Sequence, residues 1–213
     1  MNTANGDRKL LQHSNGEKDL GVLVTSSLKP TEHCLKAANR GMSALRLLRT
    51  SFNQLNETNF RILYTMYVRP HLDYCLQAVG PYMCQDLTAL EKVQRRATKL
   101  VSSVRNMPYQ ERLRILKIPS IKDRLLRGDM IMTYKILTKK VDMDPNQLFE
   151  LSEDVRTRGH HLKLNKRRSR TVQRSKFFSN RVVSPWNQLP EDVVSAGSTN
   201  SASKPFRPTL DHK

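Results

Sequence analysis

The sequence predicts a mainly α-helical protein: a bundle of about five helices, a short N-terminal strand and a flexible basic C-terminal region. Three observations predict it. Apolar residues recur at steps of three and four through most of residues 30–141, the period of helices with one buried face. A single β-branched run, Leu20-Gly-Val-Leu-Val24, reads as a strand. Ten lysines and arginines with no acid fall between Arg156 and Arg181, a block too charged to fold by itself. With 213 residues, 38% of them hydrophobic, the chain can bury one ordinary core and leave its ends outside.

In chain order, residues 1–17 are polar and predict a disordered leader. Residues 18–29 hold the strand and a turn. Thr31 is placed as the N-cap of a helix with Glu32 in its first turn. The buried stripe of that helix is Leu35, Ala38, Met42, Leu45 and Leu48. Asn56-Glu-Thr opens a second helix with Phe60, Leu63, Tyr64, Tyr67 and Val68 inward. Pro70 ends or kinks it, because proline lacks the amide proton and crowds the preceding turn. A bent helical run follows from His71 to Val79 and closes at Gly80-Pro81. The next helix carries Leu87, Leu90, Val93, Ala97, Leu100 and Val101 on one stripe, with Lys92, Arg95, Arg96 and Lys99 off it. Pro108 starts a short helix carrying Leu113 and Leu116. Ser120 caps a longer one with Ile121, Leu125, Met132 and Ile136 on one side. Asp142-Met-Asp-Pro145 marks a turn, so residues 30–141 form the bundle and 142–155 a linker. Residues 156–194 form the basic segment with a Phe/Trp patch (Phe177, Phe178, Val182, Val183, Trp186, Leu189). Residues 195–213 form a disordered tail.

Charge points to the partner class. There are 37 Lys and Arg against 19 Asp and Glu, a formal net charge of +18, which favours polyanions. No apolar run approaches the roughly 20 residues of a spanning helix, so no membrane partner is expected. No secretory leader is legible at Met1, and three cysteines lack framework spacing. An intracellular protein, nuclear or cytoplasmic, with reduced thiols is expected. Metal and catalytic signatures are missing. Cys75 and Cys84 stand too far apart for a short zinc knuckle, His160-His161 are adjacent, and no Walker or dinucleotide loop occurs.

Several separate stretches share one further property. Val68-Arg-Pro-His-Leu-Asp-Tyr-Cys75, Leu90-Glu-Lys-Val-Gln-Arg-Arg-Ala97, Tyr109-Gln-Glu-Arg-Leu113 and Arg127-Gly-Asp-Met130 come in that order. Tyr134-Lys135, Phe177-Phe178, Arg181-Val-Val183, Trp186-Asn187 and Leu189-Pro190 follow. Together they resemble the part after the polymerase palm in reverse transcriptases of non-LTR (LINE-type, jockey-like) retrotransposons. The resemblance runs from about Asp19 to about Asp211. It implies a thumb and following region that grip a template–primer duplex of RNA and/or DNA, with a palm supplied by a longer parent chain. The palm of such an RNA-directed DNA polymerase holds magnesium on an adjacent aspartate pair. No Asp-Asp pair occurs in this chain, so no catalysis and no cofactor are expected of it alone. Thr25 also stands where the family usually has an aspartate.

The expected nucleic-acid contacts are Arg40, Arg46, Arg49, Arg95, Arg96, Lys99, Arg124 and Arg127 on helix faces. Arg156, Arg158, Lys166, Arg167, Arg168, Arg170 and Arg174 lie in the basic segment. Recognition through phosphates would be largely sequence-independent. Two other readings stay open: a basic protein-interaction or targeting fragment, and a decayed retroelement relic without a selected role.

Overall fold

The computed structural model describes residues 14–152 and 159–195. It is mainly helical, with two strands at the N-terminal end. The expected single strand is a hairpin: β1 (Gly16–Asp19) pairs antiparallel with β2 (Val22–Thr25), Asp19 opposite Val22. Leu20 and Gly21 form the two-residue turn with φ of 44° and 83°. Both signs are positive, as a turn matching the strand twist requires, and glycine supplies one of them at no steric cost. β1 therefore takes Gly16 and Glu17 from the residues assigned above to the leader. Residues 1–13 and the tail from 196 lie outside the described part.

α1 (Thr31–Ser51) buries Cys34, Ala38, Gly41, Leu45 and Leu48. Leu35, expected inside, is exposed, because it sits on the flank of the stripe rather than at its centre. Thr31 is the first helical residue, not the cap. Its hydroxyl donates to Met83 Sδ at 3.6 Å. α2 (Glu57–Leu63) is capped as expected, with Asn56 accepting from the Asn59 amide at 2.7 Å. It continues into a π-helical turn, Tyr64–Val68, and then α3 (Arg69–Asp73). The wider turn lets Pro70 sit near the start of α3, so the proline neither ends the run nor lacks a partner it needed. Tyr64 and Val68 are buried, while Tyr67 faces out. The bend comes later, at Tyr74 (extended) and Cys75 (φ 55°), before α4 (Leu76–Val79).

α5 (Cys84–Thr98) buries Leu90, Val93 and Ala97 in the core it shares with α1. Its register with α1 is fixed at three levels. Gln85 Nε2 donates to Thr31 Oγ1 at 3.3 Å near the starts of both helices. A Cβ on Gly41 would lie 3.3 Å from Val93 Cγ1 and 2.9 Å from Leu72 Cδ2. Beyond the helix ends, Leu55 and Val101 form a parallel bridge. Residue numbers rise together along the three pairs (31 with 85, 41 with 93, 55 with 101), so α1 and α5 run parallel, side by side. Glycine at 41 is what permits this close approach.

α6 (Tyr109–Leu116) and α7 (Ile121–Leu137) complete the bundle, with Ser120 capping α7 at 3.1 Å from the Asp123 amide. Met132 is exposed rather than inward. The second half of α7 belongs to another core. Met130, Tyr134 and Ile136 pack with Phe149, Leu164, Phe178, Val182, Val183 and Trp186. Short helices α8 (Val172–Lys176), α9 (Phe178–Arg181), α10 (Val183–Asn187) and α11 (Glu191–Val194) supply that cluster. Residues 145–151 do not form a simple linker: Phe149 is buried there, and Leu151 pairs with Leu164. The C-terminal unit is bolted down by polar bonds as well. Trp186 Nε1 donates to the Leu162 carbonyl at 2.8 Å, and the Asn187 amide brackets Leu164 at 2.9 and 2.8 Å.

Candidate nucleic-acid interface

The parallel register of α1 and α5 decides which cations share a surface. On α1, steps of three and four from Thr31 run through Leu35, Met42, Arg46 and Arg49. On α5, the same steps from Gln85 run through Ala89, Lys92, Arg96 and Lys99. The Thr31–Gln85 bond joins these two rows at one end, so they border one furrow along the pair. Arg46, Arg49, Lys92, Arg96 and Lys99 are all exposed, and neither row contains an acid. None of the five is in an ion pair among the described residues. Arg49 and Arg96 stand in the last turns of their helices and Lys99 is the C-cap of α5. There the helix dipoles favour positive charge by about 0.3–1 kcal/mol per group, which offsets part of the mutual repulsion.

The remaining expected contacts are dispersed. Arg40 lies on the opposite flank of α1. With Lys18, Lys36, His33 and His71 it lines a cavity of about 540 Å³ beneath the hairpin. Burial holds His33 below its usual pKa, and Arg40 and Lys36 push the same way against the Tyr74 carbonyl. Its Nδ1 accepts the Leu23 amide at 3.4 Å, anchoring β2 to α1. Arg95 is exposed but lies over the Tyr109 ring, 4.0 Å from its centroid. The Tyr109 hydroxyl donates to Glu91, and burial together with that carboxylate raises its pKa strongly.

Arg124 is withdrawn from the interface. Its side chain is only 4% exposed and pairs with Asp73 at 3.0 Å. Nη1 donates to Gln94 Oε1 at 2.7 Å, and Gln94 also accepts from the Tyr64 hydroxyl at 2.6 Å. This cation is an internal strut tying α7 to α3 and α5. Its position three residues beyond Ile121 already placed it on the buried stripe. Arg127 is half-buried on α7.

In the basic segment, Arg156 and Arg158 lie outside the described residues. The rest is not a free arm. Lys166 reaches Ser184 Oγ at 3.4 Å, and Arg167 pairs with Glu150 at 3.7 Å. Arg168 and Arg170 are exposed. Arg174 lies over Phe177, 5.6 Å from the ring centroid. Arg181, a member of the same run, is structural: both of its bonds to Asp129 are 2.8 Å, and Nη2 donates to the Gln77 carbonyl at 2.7 Å. Burial raises the Asp129 pKa, and Arg181 opposes the shift. Lys92, which the sequence places off the buried stripe of its helix, joins the ridge once the helix register is known.

Among the described residues no group of three or more His, Cys, Asp or Glu could hold a metal ion. None of their helices is long and apolar enough to cross a membrane. Comparison of the chain with protein-family models, with curated proteins and with solved structures finds no match.

Proposed function

We propose that this chain is the gripping, non-catalytic C-terminal part of a non-LTR retrotransposon reverse transcriptase, which holds template–primer nucleic acid by its phosphates. The observation that carries the reading is the acid-free row pair on α1 and α5. Five cations, none in an ion pair among the described residues, border one furrow between helices whose axes pack about 8–10 Å apart. Such a surface follows a charged backbone, and contacts to phosphates carry no sequence information directly, so binding through them is sequence-blind. The exposed Arg168 and Arg170 add cations on the C-terminal unit, without belonging to the ridge. Magnesium-dependent extension is assigned to a palm elsewhere in a parent chain, and no step of it to these residues.

Filter binding of an RNA–DNA hybrid, duplex DNA and duplex RNA at two salt concentrations tests the proposal. Steep, sequence-independent loss of binding with salt is expected. Retention that is insensitive to salt, or no binding at low salt, overturns it. Incubation with primer–template, magnesium and nucleotides is expected to give no extension.

A further inference from the structure

A second surface lies at the other end of the α1–α5 pair. An apolar groove of about 630 Å³ opens between the hairpin, the start of α1, α4 and α8. Val22, Leu28, Ala78, Val79 and Phe177 line it. Leu28 is 63% exposed and Phe177 44%, unusual for large apolar side chains that adjoin one another. The volume is that of a site for a small molecule or a few side chains. Its rim is cationic: Lys29, Arg174 and Lys176 border it, with Asp19 the acid on the hairpin side. None of those three cations is in an ion pair among the described residues. Arg181 also lines the groove, but Asp129 engages it.

We propose that this groove docks a short peptide segment of a partner protein, presenting an apolar side chain flanked by carboxylates. Charge complementarity selects that occupant. A second copy of this chain, at +18, would bring like charges to the rim. A phosphate backbone needs a continuous cation track, whereas here an aliphatic floor separates the cations and Asp19 repels. The groove begins at Pro30, and the ridge centres on Arg46 and Arg49. That is about 24–28 Å away along α1 at 1.5 Å per residue, so both surfaces can be filled together.

Fluorescence anisotropy with labelled synthetic peptides tests the proposal on the full chain. The probes are a Leu-Phe core with Asp/Glu flanks, the same core with Lys flanks, and an Asp/Glu peptide without the core. The first is expected to bind at least tenfold tighter than the other two. The double variant L28E/F177E changes exposed side chains only. It is expected to lose at least tenfold in peptide affinity, with its thermal midpoint and its hybrid binding unchanged. Neutralising the α1–α5 ridge is expected to leave peptide affinity intact, so the two readings fail separately. Equal binding of the core-less acidic peptide overturns the proposal, as does loss of oligonucleotide binding in L28E/F177E.

Discussion

Neutralising the ridge gives the sharpest test of the gripping role. Changing Arg46, Arg49, Lys92, Arg96 and Lys99 to Gln removes five cations from one acid-free furrow. Each phosphate neutralised on a duplex contributes about −0.9 to the slope of log affinity against log salt. Full engagement of five gives a slope of about −4.5 from the ridge alone. Between 50 and 200 mM salt that amounts to roughly a 500-fold loss of affinity. The variant is therefore expected to bind a hybrid duplex with a slope shallower by up to about 4.5, and about a hundredfold or more weaker at low salt. Stability should change little, because the side chains are exposed. Lost dipole interactions at two helix ends account for about 1–3 kcal/mol at most. The assay is anisotropy or filter binding over a salt series, with far-UV circular dichroism as the fold control. R168Q/R170Q, which changes two exposed cations of the C-terminal unit, should flatten the slope by at most about 2. An unchanged slope in the five-site variant refutes the reasoning, as does collapse of its helicity.

Three further predictions concern the interior. Arg124→Ala leaves Asp73 with Arg69 alone and Gln94 Oε1 with the Tyr64 hydroxyl alone, and the lost buried hydrogen bonds and packing are expected to cost about 2–4 kcal/mol. Its thermal midpoint should fall by roughly 6 °C or more, while the salt slope of the folded protein stays unchanged. A normal midpoint with weakened binding would return Arg124 to the interface. Asp86 is 1% exposed and neither carboxylate oxygen meets a hydrogen-bond partner. Asp86→Asn is expected to stabilise by about 1 kcal/mol, net of a small dipole loss in the first turn of α5. A lower midpoint would show that the charge is compensated. The neighbouring Cys34 thiol is pushed up to about 12 by burial and by Asp86, so slow alkylation of Cys34 relative to exposed Cys84 provides a parallel check.

His33 sets a sign for pH dependence. Its folded pKa lies below the ordinary 6.5, so the unfolded chain takes up its proton first as pH falls. Its contribution to stability is complete above about 6.5 and declines below it, toward the lower folded value. His33→Gln offers a side-chain carbonyl to the Leu23 amide and cannot titrate. Melting curves from pH 7.5 to 5.5 should be flatter for that variant. Parallel profiles would remove His33 from the account.

Much of the bundle is legible in the sequence because its signals are local. Asn56 and Ser120 accept from the amides three residues on, as capping chemistry dictates. Leu90, Val93 and Ala97 are buried on their stripe. The misses share a cause. Spacing gives the direction of a stripe but not its width, so it places Leu35 and Tyr67 inward although both stand on the exposed flanks. Register between helices is also nonlocal. Only the parallel pairing of α1 with α5 reveals that Arg46 and Arg96 share a furrow while Arg40 faces the other way. The basic segment misleads by composition. Its charges are dense, yet Leu164, Val182, Val183 and Trp186 are enough to close a core once Met130 and Tyr134 are presented by α7.

The placement of the acids explains why a chain of this composition offers a positive exterior. Asp73 serves Arg124 and Arg69, Asp129 serves Arg181, and Glu91 receives the Tyr109 hydroxyl and the Ile121 amide. Asp86 is buried outright. Asp73, Asp129 and Glu91 are thereby tied up at internal junctions between helices, where stranding a buried charge costs several kcal/mol. Arg112, 4% exposed, is satisfied instead by the Thr98 hydroxyl and the Arg105 and Met107 carbonyls. The lone acid of α1, Glu32, lies in its first turn beside Lys36, far from Arg46 and Arg49. Beyond the far ends of the two helices stands Glu57, which accepts from Ser103 Oγ at 3.1 Å and forms no ion pair with Arg46, Arg49, Lys92, Arg96 or Lys99 among the described residues.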